Sequence, residues 1–510
     1  MKKSRIDQWN EHRKDWIRYL QNLSKFYQSE NDKGKGSMIK FERQIRVLHE
    51  LSLGLFINKN ILEALIDPDI ILNQTTMVDT PIDWVQSLDS EQERAVRKAL
   101  HSPILSLTQG PPGTGKTTII TEVCIQMLRR MPEARILVCS ETHVAVDNIL
   151  EQLLDLAPWI KVMRVTNDPA KVSADEAVQS ALTSQILSEY FTKLKDSGTI
   201  DSTLIEGIQY DFNRHPRRVE RDLFRSFPVL AMTCNQLAAY DFGPDSPGFD
   251  LVIIDESCKA TFPEIIIPLI VAHRALIVGD PQQLPPTFCK EDIEVLEGLG
   301  LKHMIRTGFL DRYFEEIPES CKSFLNRQYR MTDEIGTVVS ECFYGGKLLN
   351  ASGRSDPDSI KWLDYSTNNL YPDPRSSEPL LENPVEVDLI IKVLCEMQDR
   401  AEQGTNVAII TPYKAQRRLL ERKINKLHLH RYNIEINTIN AIQGKDADFV
   451  FFSVTRNNGS MRFFGDPRLL NVALSRAKKK LWIVGNGHFL CSHSVFKRLY
   501  EAISKTNQCK

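Results

Sequence analysis

Residues 110–117 read Gly-Pro-Pro-Gly-Thr-Gly-Lys-Thr, which places glycines, one lysine and one hydroxyl at the spacing of a phosphate-binding loop. The glycines let backbone N–H groups turn toward a polyphosphate, and a following helix adds the positive end of its dipole. Lys116 would reach the β- and γ-phosphates, and the Thr117 hydroxyl would hold Mg²⁺. An apolar strand pattern precedes the loop and a helical pattern follows it, so the segment predicts a nucleoside triphosphate site. The residues expected to line it are Gly110, Pro111, Pro112, Gly113, Thr114, Gly115, Lys116, Thr117 and Thr118.

Two carboxylates, Asp255 and Glu256, directly follow the apolar run Leu251–Ile254. At the end of a buried strand, Asp255 is placed to contact Mg²⁺, and Glu256 is placed to polarise an attacking water. A further turn, Gly279–Pro286, follows another apolar run. It is either a plain Pro-rich turn or a loop in which Gln283 senses the γ-phosphate.

Two arginines downstream complete the predicted catalytic set. Arg330 lies in Gln-Tyr-Arg-Met, and Arg476 lies in Asn-Val-Ala-Leu-Ser-Arg-Ala. A guanidinium aimed at a transferring phosphoryl group is worth about 10³ to 10⁵ in rate. Most arginines are solvated surface residues, so the neighbouring residues are what distinguish these two.

The elements that must position these groups follow an α/β pattern. Short apolar runs alternate with helical stretches between residues 86 and 300 and again between 301 and 510, which predicts two parallel-sheet domains in tandem. Residues 1–85 are charged and helical in pattern, and about 168–227 read as a helical insertion. Residues Ser352–Pro379 are predicted to be a loop. The predicted strands are Ile104–Thr108, Ile136–Cys139, Lys161–Val165, Pro228–Thr233, Leu251–Ile254, Ala275–Val278, Val407–Thr411, Ile434–Thr438, Phe449–Val454 and Leu481–Val484.

Composition narrows the class of protein. The chain has 510 residues and a formal net charge of −2, so any nucleic acid must be bound by a local basic groove. Its 10 cysteines are scattered, which disfavours zinc and disulfides and favours a reducing cytoplasm. No apolar run approaches membrane-spanning length, and the first residues lack the apolar core of a signal peptide.

Taken in order, these motifs resemble those of superfamily 1 helicases, in the branch that includes the nonsense-mediated-decay RNA helicase and its DNA-acting relatives. The resemblance covers about residues 85–490 and implies two RecA-like P-loop domains with helical accessory segments. It also implies that Gln92, in Leu-Asp-Ser-Glu-Gln, bonds to adenine and that Tyr329 stacks on it. Asp446 would hold the ribose, Arg330 would meet the γ-phosphate, and Arg476 would be a second arginine finger.

The same resemblance implies a nucleic-acid track. Its expected contacts are Thr142, His143, Thr233, Thr411 and Thr438. Three positions depart from the family pattern. His143 replaces the usual Asn, Lys259 replaces a Gln after the acidic pair, and Asp446 replaces a Glu.

Other patterns leave two interpretations open. Arg214, Arg217, Arg218, Arg221 and Arg225 form a basic cluster that is either a nucleic-acid contact or a solvated face. Lys478–Lys480 would be a phosphate-binding edge or a soluble helix end. Tyr413 and Phe463-Phe464 would stack on bases or pack in the core.

The leading hypothesis is an ATP-driven motor on single-stranded DNA or RNA, which hydrolyses Mg²⁺-bound ATP in a cleft between the two domains. The resemblance implies 5′-to-3′ movement. The alternative is a nucleic-acid-gated ATPase switch that loads or licenses a protein partner, such as a nuclease, without robust unwinding. A catalytically dead binding module is disfavoured because every hydrolytic residue is present.

Overall fold

A computed structural model describes residues 4–29, 35–72, 81–197, 201–240, 248–305, 308–317, 322–366, 381–439, 441–442, 444–459 and 466–508. The chain divides into two compact units. The first comprises Met1–Gly110, Lys116–Pro281 and Pro285–Leu325, and the second comprises Pro111–Gly115, Gln282–Leu284 and Asn326–Lys510. None of the described helices is both long and apolar enough to cross a membrane.

The first unit contains a parallel, seven-stranded sheet in the order β3-β4-β2-β5-β6-β1-β7. Apolar runs with both faces covered are typical of parallel strands, and β2, β4, β5 and β6 are buried along their whole length. Ser140 lies opposite both Thr233 and Asp255, so the predicted site residues follow the strands at one edge of the sheet. The strands are β1 Leu105–Gln109, β2 Ile136–Ser140, β3 Val162–Arg164, β4 Val229–Thr233, β5 Leu251–Asp255, β6 Ala275–Gly279 and β7 Lys322–Phe324.

Helices cover both faces of this sheet. The N-terminal helices share a core with the sheet, and Trp9 of α1 packs edge-on against Phe262 and Phe309. The helices of the predicted insertion, α8 to α11, follow β3. The helices are α1 Arg5–Ser29, α2 Lys35–Ser52, α3 Lys59–Ile66, α4 Asp69–Leu72, α5 Ser90–His101, α6 Lys116–Arg130, α7 His143–Leu156, α8 Glu176–Ser180, α9 Thr183–Ser197, α10 Ser202–Arg214, α11 Pro216–Leu223, α12 Cys234–Leu237, α13 Phe262–Leu269, α14 Lys290–Gly298 and α15 Phe309–Glu316.

The second unit contains a parallel, five-stranded sheet in the order β10-β14-β13-β11-β12, and a separate pair, β8 with β9. Asn383 caps α17 as predicted, because its side chain accepts the N–H of Glu386. The strands are β8 Arg327–Gln328, β9 Leu349–Asn350, β10 Ile360–Leu363, β11 Thr405–Thr411, β12 Tyr432–Thr438, β13 Ala447–Ser453 and β14 Ala477–Val484. The helices are α16 Asp333–Phe343, α17 Pro384–Gln398, α18 Lys414–Ile424, α19 Pro467–Leu474, α20 Gly487–Leu490 and α21 Ser494–Gln508.

The structure departs from the sequence-based assignment in two places. The prediction that residues 352–379 form only a loop was wrong, because Ile360–Leu363 pairs with β14 as an edge strand. Four residues among Ser, Pro and Asp carry too little apolar pattern to indicate a strand. The first unit also runs to Leu325, beyond the predicted boundary at 300, because β7 pairs with β1.

Candidate nucleotide and nucleic-acid sites

The phosphate-binding loop begins in the first unit at the end of β1. The N–H of Gly110 donates to the carbonyl of Gly279 over 2.9 Å, which ties the loop to the end of β6. The Lys116 ammonium folds back and donates to the Gly110 carbonyl over 3.0 Å. A Cβ at position 110 would lie 2.3 Å from Cγ of Lys116, so only glycine permits this approach.

The tip of the loop, Pro111–Gly115, groups with the second compact unit. Gly113 and Gly115 adopt φ of 74° and 82°, the left-handed region that glycine tolerates. The N–H of Tyr329 donates to the Gly113 carbonyl over 2.8 Å. A Cβ at Gly113 would also lie 2.5 Å from Cβ of Arg330. The Gln-Tyr-Arg segment therefore contacts the tip of the loop directly.

The acidic pair follows β5 in the first unit. Asp255 is buried, and burial followed by the charge of Glu256 raises its pKa to about 7, although Lys116 opposes the shift. Glu256 has a left-handed φ of 49°, and its carboxylate lies 3.8 Å from the Lys116 ammonium. Strained backbone of this kind costs about 1–3 kcal/mol and recurs at functional sites.

The donor set at this point suits Mg²⁺. Oδ1 of Asp255 is buried and has no hydrogen-bond partner among the described residues. A hard cation prefers carboxylate, hydroxyl and phosphate oxygens, and Asp255 with the Thr117 hydroxyl would supply the protein's share. These residues therefore fit a Mg²⁺ that arrives with a nucleotide.

Gln92 lies in the first turn of α5 and makes a structural contact there. It is buried, and its side-chain oxygen accepts the N–H of Asp89 over 3.0 Å while Asp89 caps the helix. Sequence reasoning missed Gln86, whose amide donates to the Thr118 carbonyl over 3.1 Å and so reaches the helix that follows the phosphate loop. Gln86 stands only two residues before the motif that was recognised, and no periodic pattern marks it.

Arg330 and Arg476 both contact Ser475 in the second unit. Arg330 donates to the carbonyl of Ser475 over 3.3 Å, and Arg476 donates to the hydroxyl of the same residue over 3.3 Å. Arg476 is buried and also donates to the Val472 carbonyl over 2.9 Å. Asp446 lies 3.2 Å from the Arg330 guanidinium. The structure thus brings Arg330 into contact with Asp446 and Ser475, which both lie more than a hundred positions later in the sequence.

Lys478, Lys479 and Lys480 lie on β14, so the predicted helix end was wrong. Lys478 pairs with Asp446 at 2.5 Å, and Lys480 pairs with Asp356 at 2.7 Å. The triplet looked like a helix end because three consecutive lysines do not read as a strand, yet β14 is the second strand of its sheet.

Gln283 is buried, and the residue before it, Gln282, makes a contact within the second unit. The side-chain amide of Asn471, on the helix before Arg476, donates to the carbonyl of Gln282 over 2.7 Å. The Gly279–Pro286 turn therefore does more than join two elements, because Gln282 in its middle is hydrogen-bonded to the segment that leads to Arg476.

The predicted nucleic-acid residues occupy different environments. Thr142 caps α7 by accepting the N–H of Ala145 over 3.3 Å, and Thr233 caps α12 by accepting the N–H of Gln236 over 3.3 Å. Thr438 accepts the N–H of Ala441 through its carbonyl over 3.0 Å.

Thr411 is fully buried, and its hydroxyl lies 3.1 Å from that of Thr455. Tyr413, two residues on, accepts a hydrogen bond from Arg456 over 2.8 Å and lies under its guanidinium. Phe463 and Phe464 fall outside the described residues.

His143 is held by a buried arginine that the sequence did not reveal. Arg164, at the end of β3, is fully buried and donates to Asp147 over 2.7 Å. It lies 3.1 Å from Nδ1 of His143. A guanidinium can only donate, so Nδ1 accepts and the neutral ring carries its proton on Nε2. Burial and then the charge of Arg164 lower the pKa of His143, which keeps the ring neutral.

Lys259 is the second position that departs from the family pattern, and its ammonium lies 3.8 Å from the carboxylate of Glu141. Burial and the neighbouring Glu264 raise the pKa of Glu141, while Lys259 and then Lys40 lower it. Glu264 is buried and contacts Lys40 of α2 at 2.9 Å. Lys259 is therefore accommodated by a carboxylate at the end of β2.

A strand, a glycine-rich loop and a helix, with an acidic pair after another parallel strand of the same sheet, define a P-loop nucleoside triphosphatase. Two protein-family models, both described as AAA domain, match residues 87–200 with 192–291 and residues 305–488. With these matches and the relatives below, the chain belongs to the superfamily 1 helicases, in the branch of the nonsense-mediated-decay helicase and DNA helicase A. Members of this class are ATP-dependent enzymes.

Three similar proteins illustrate the relationship. DNA polymerase alpha-associated DNA helicase A of Saccharomyces cerevisiae is 28% identical over 88% of this chain and 72% of its own. A regulator of nonsense transcripts 1 homolog of Neurospora crassa is 29% identical over 81% of this chain and 38% of its own. An uncharacterized ATP-dependent helicase of Methanocaldococcus jannaschii is 27% identical over 81% of this chain and 70% of its own. The chain thus spans well under half of the Neurospora relative.

Proposed function

We propose that this chain is an ATP-dependent helicase that moves on single-stranded nucleic acid. Lys116, Thr117, Asp255 and Glu256 would hold and hydrolyse Mg²⁺-ATP, and Arg330 and Arg476 would stabilise the charge on the transferring phosphoryl group. Gln92, Tyr329 and Asp446 would bind the nucleoside, as the family resemblance implies, and Gln283 would sense the γ-phosphate.

One observation carries most of this proposal. The Tyr329 N–H bonds to the Gly113 carbonyl at the tip of the phosphate loop, and the next residue, Arg330, shares Ser475 with Arg476. Arg330 thus directly follows the residue that contacts the loop, which supports the proposal because phosphoryl transfer depends on the positioning of cationic groups and on charge stabilisation.

The track would be formed by Thr142, His143, Thr233, Thr411 and Thr438. The cap geometry of Thr142 and Thr233 uses only an oxygen lone pair, so each hydroxyl proton remains able to donate to a phosphate oxygen. Thr411 is buried and would act by supporting the loop that carries Tyr413. Relatives named as a DNA helicase and as a regulator of nonsense transcripts favour a nucleic-acid strand and leave both DNA and RNA as candidates.

Steady-state ATP turnover tests the proposal, measured with no nucleic acid, with single-stranded DNA and with single-stranded RNA. Stimulation by at least one strand is expected, and Lys116→Ala should abolish it because the β- and γ-phosphates lose their cation. Strand displacement on duplexes with a 5′ or a 3′ overhang then tests polarity, and the 5′ overhang is the expected substrate. Unstimulated turnover in the wild type would refute the proposal.

The alternative is a nucleic-acid-gated ATPase switch that acts on a protein partner. It is favoured by the accessory segments, which are wholly helical in their described parts and small beside the two sheets. Stimulated turnover without displacement from either overhang would select the switch, whereas displacement would select the helicase.

A further inference from the structure

A cavity of about 620 Å³ opens in the first unit between the end of β3 and the insertion helices. That volume is in the range of ligand sites. Its lining residues with basic or acidic side chains are Arg164, Arg214, His215, Arg217, Arg218 and Glu220. The lining also includes hydroxyl groups on the segments next to Arg164, so most of the polar groups that face the space are hydrogen-bond donors.

The charge balance of this cavity is strongly positive. Arg214, Arg217 and Arg218 are exposed. The carboxylate of Glu220 accepts a hydrogen bond from the Tyr240 hydroxyl over 2.6 Å, and burial raises its pKa. One carboxylate, already hydrogen-bonded to Tyr240, therefore shares the lining with three exposed guanidinium groups. A guanidinium presents a fork of donors that matches a phosphate, so an anion with several oxygens fits this lining.

The structure divides the basic cluster of the insertion into two sets. Arg214, Arg217 and Arg218 line the cavity, whereas Arg221 and Arg225 of the same cluster are exposed and are not among its lining residues. A solvated charged face would give all five arginines the same role. The division predicts that the arginines that line the cavity and those outside it have different roles. Variants of the two sets can therefore be compared directly.

Arg164 connects the cavity to the predicted track. Arg164 is among the lining residues, and its fully buried guanidinium donates to His143, whose Nε2–H is the expected phosphate contact. A strand that passes His143 would find the next donors of the first unit in this cavity. A lining rich in arginine and hydroxyl groups suits the phosphodiester backbone, which carries no sequence information.

We propose that this cavity binds backbone phosphates of the single strand, with Arg217 and Arg218 as direct contacts. The assignment rests on the proposed function and adds a second phosphate-binding surface to it. Each cation that neutralises a phosphate contributes about 0.7 to the salt slope of single-strand affinity. Two contacts should therefore contribute roughly 1.4 to that slope.

The test compares two double variants of equal charge change, R217Q/R218Q and R221Q/R225Q, in the full chain. Affinity for a fluorescent single-stranded oligonucleotide is measured by anisotropy over a series of salt concentrations. R217Q/R218Q should reduce the slope by roughly 1.4, and R221Q/R225Q should leave it at the wild-type value. R217K/R218K should restore the slope because it restores the charge, and melting temperatures confirm that each variant is folded.

Each contrary outcome has a distinct meaning. Equal slopes for the two glutamine variants would overturn the cavity assignment, and so would a lysine variant that behaves like R217Q/R218Q. A change in binding of inorganic phosphate, with no change on the oligonucleotide, would assign the cavity to a small phosphorylated ligand and reject the strand. A wild-type protein that binds no oligonucleotide would refute the proposed function itself.

Discussion

The buried guanidinium of Arg164 fixes where the proton of the half-buried His143 ring lies: it is 3.1 Å from Nδ1, so the neutral ring carries its hydrogen on Nε2. An Asn amide at this position, as the family usually has, also presents an N–H donor. Although His143 differs from the usual Asn, it therefore still presents an N–H donor.

We expect His143→Asn to keep nucleic-acid-stimulated ATP turnover and His143→Ala to weaken strand affinity. A hydrogen bond to a charged phosphate is worth about 1.5–3 kcal/mol, so the alanine variant should bind at least about tenfold more weakly. Titration of stimulated turnover with a single strand measures this as a change in the strand concentration at half-maximal rate. Equal affinities for the alanine variant and the wild type would remove His143 from the track.

The same pair predicts a pH dependence of stability. Because the pKa of His143 is lowered in the fold, the unfolded chain binds more protons as pH falls through the ordinary value of 6.5. The wild type should lose stability from this residue below about pH 6.5, and His143→Asn should not. The melting temperature of the variant minus that of the wild type should therefore rise as pH falls from neutral.

The two arginines at Ser475 predict that substitution of Arg476 slows ATP hydrolysis. Arg476→Ala should reduce stimulated turnover by about 10³-fold or more, because the guanidinium would stabilise the transferring phosphoryl group. Arg476→Lys should also be impaired, since one ammonium cannot replace donors to Val472, Lys445 and Ser475.

Single-turnover kinetics isolate the chemical step, and the melting temperature shows whether the variant is folded. Arg422, exposed in the last turn of α18, supplies the control, and Arg422→Ala should retain wild-type turnover. Full activity in Arg476→Ala, at a melting temperature equal to the wild type's, would show that the site assignment is mistaken.

The ion pair between Lys40 of α2 and Glu264 predicts that the N-terminal helices stabilise the first unit. The Lys40 ammonium lies 2.9 Å from Glu264, which also accepts hydrogen bonds from Thr261 and Asn235. Lys40→Met removes one charged partner and leaves the others, so the cost should be about 1–3 kcal/mol. Thermal denaturation should show a melting temperature lowered by a few degrees. Lys59→Met, an exposed lysine at the start of α3, is the control and should leave it unchanged.

The sequence predicted the strands that are apolar on both faces, because burial in a parallel sheet leaves a continuous pattern. It missed β7 and β10, which are short edge strands of three and four residues and depend on their neighbours to form. The phosphate loop and the acidic pair were predictable because their chemistry requires fixed types at fixed spacing.

Arg164 shows why the rest of the site was not predictable. A buried charge leaves no periodic signal, and its partner Asp147 lies 17 residues away on a helix. Only the fold reveals that the arginine determines the tautomer of His143. The basic cluster is similar, since five arginines look equivalent in sequence and only the structure separates those that line a cavity.

Glu386 gives a final prediction, which concerns the second unit. It is fully buried, accepts the N–H of Thr455 and the hydroxyl of Ser453, and burial raises its pKa to about 8. Thr455 has φ of 75°, a left-handed conformation that strains a β-branched residue, so Glu386 holds a costly turn in place.

A folded-state pKa above the unfolded value means that stability is present below about pH 4.5 and is lost as pH rises toward about 8. Glu386→Gln cannot ionise and can still accept the Thr455 N–H through its amide oxygen. The melting temperature of this variant minus that of the wild type should increase between pH 5 and 8 and level off above that pH. A difference that stays constant over this range would show that the pKa of the Glu386 carboxyl is not raised in the folded protein, and that its role is limited to the hydrogen bonds at Thr455 and Ser453.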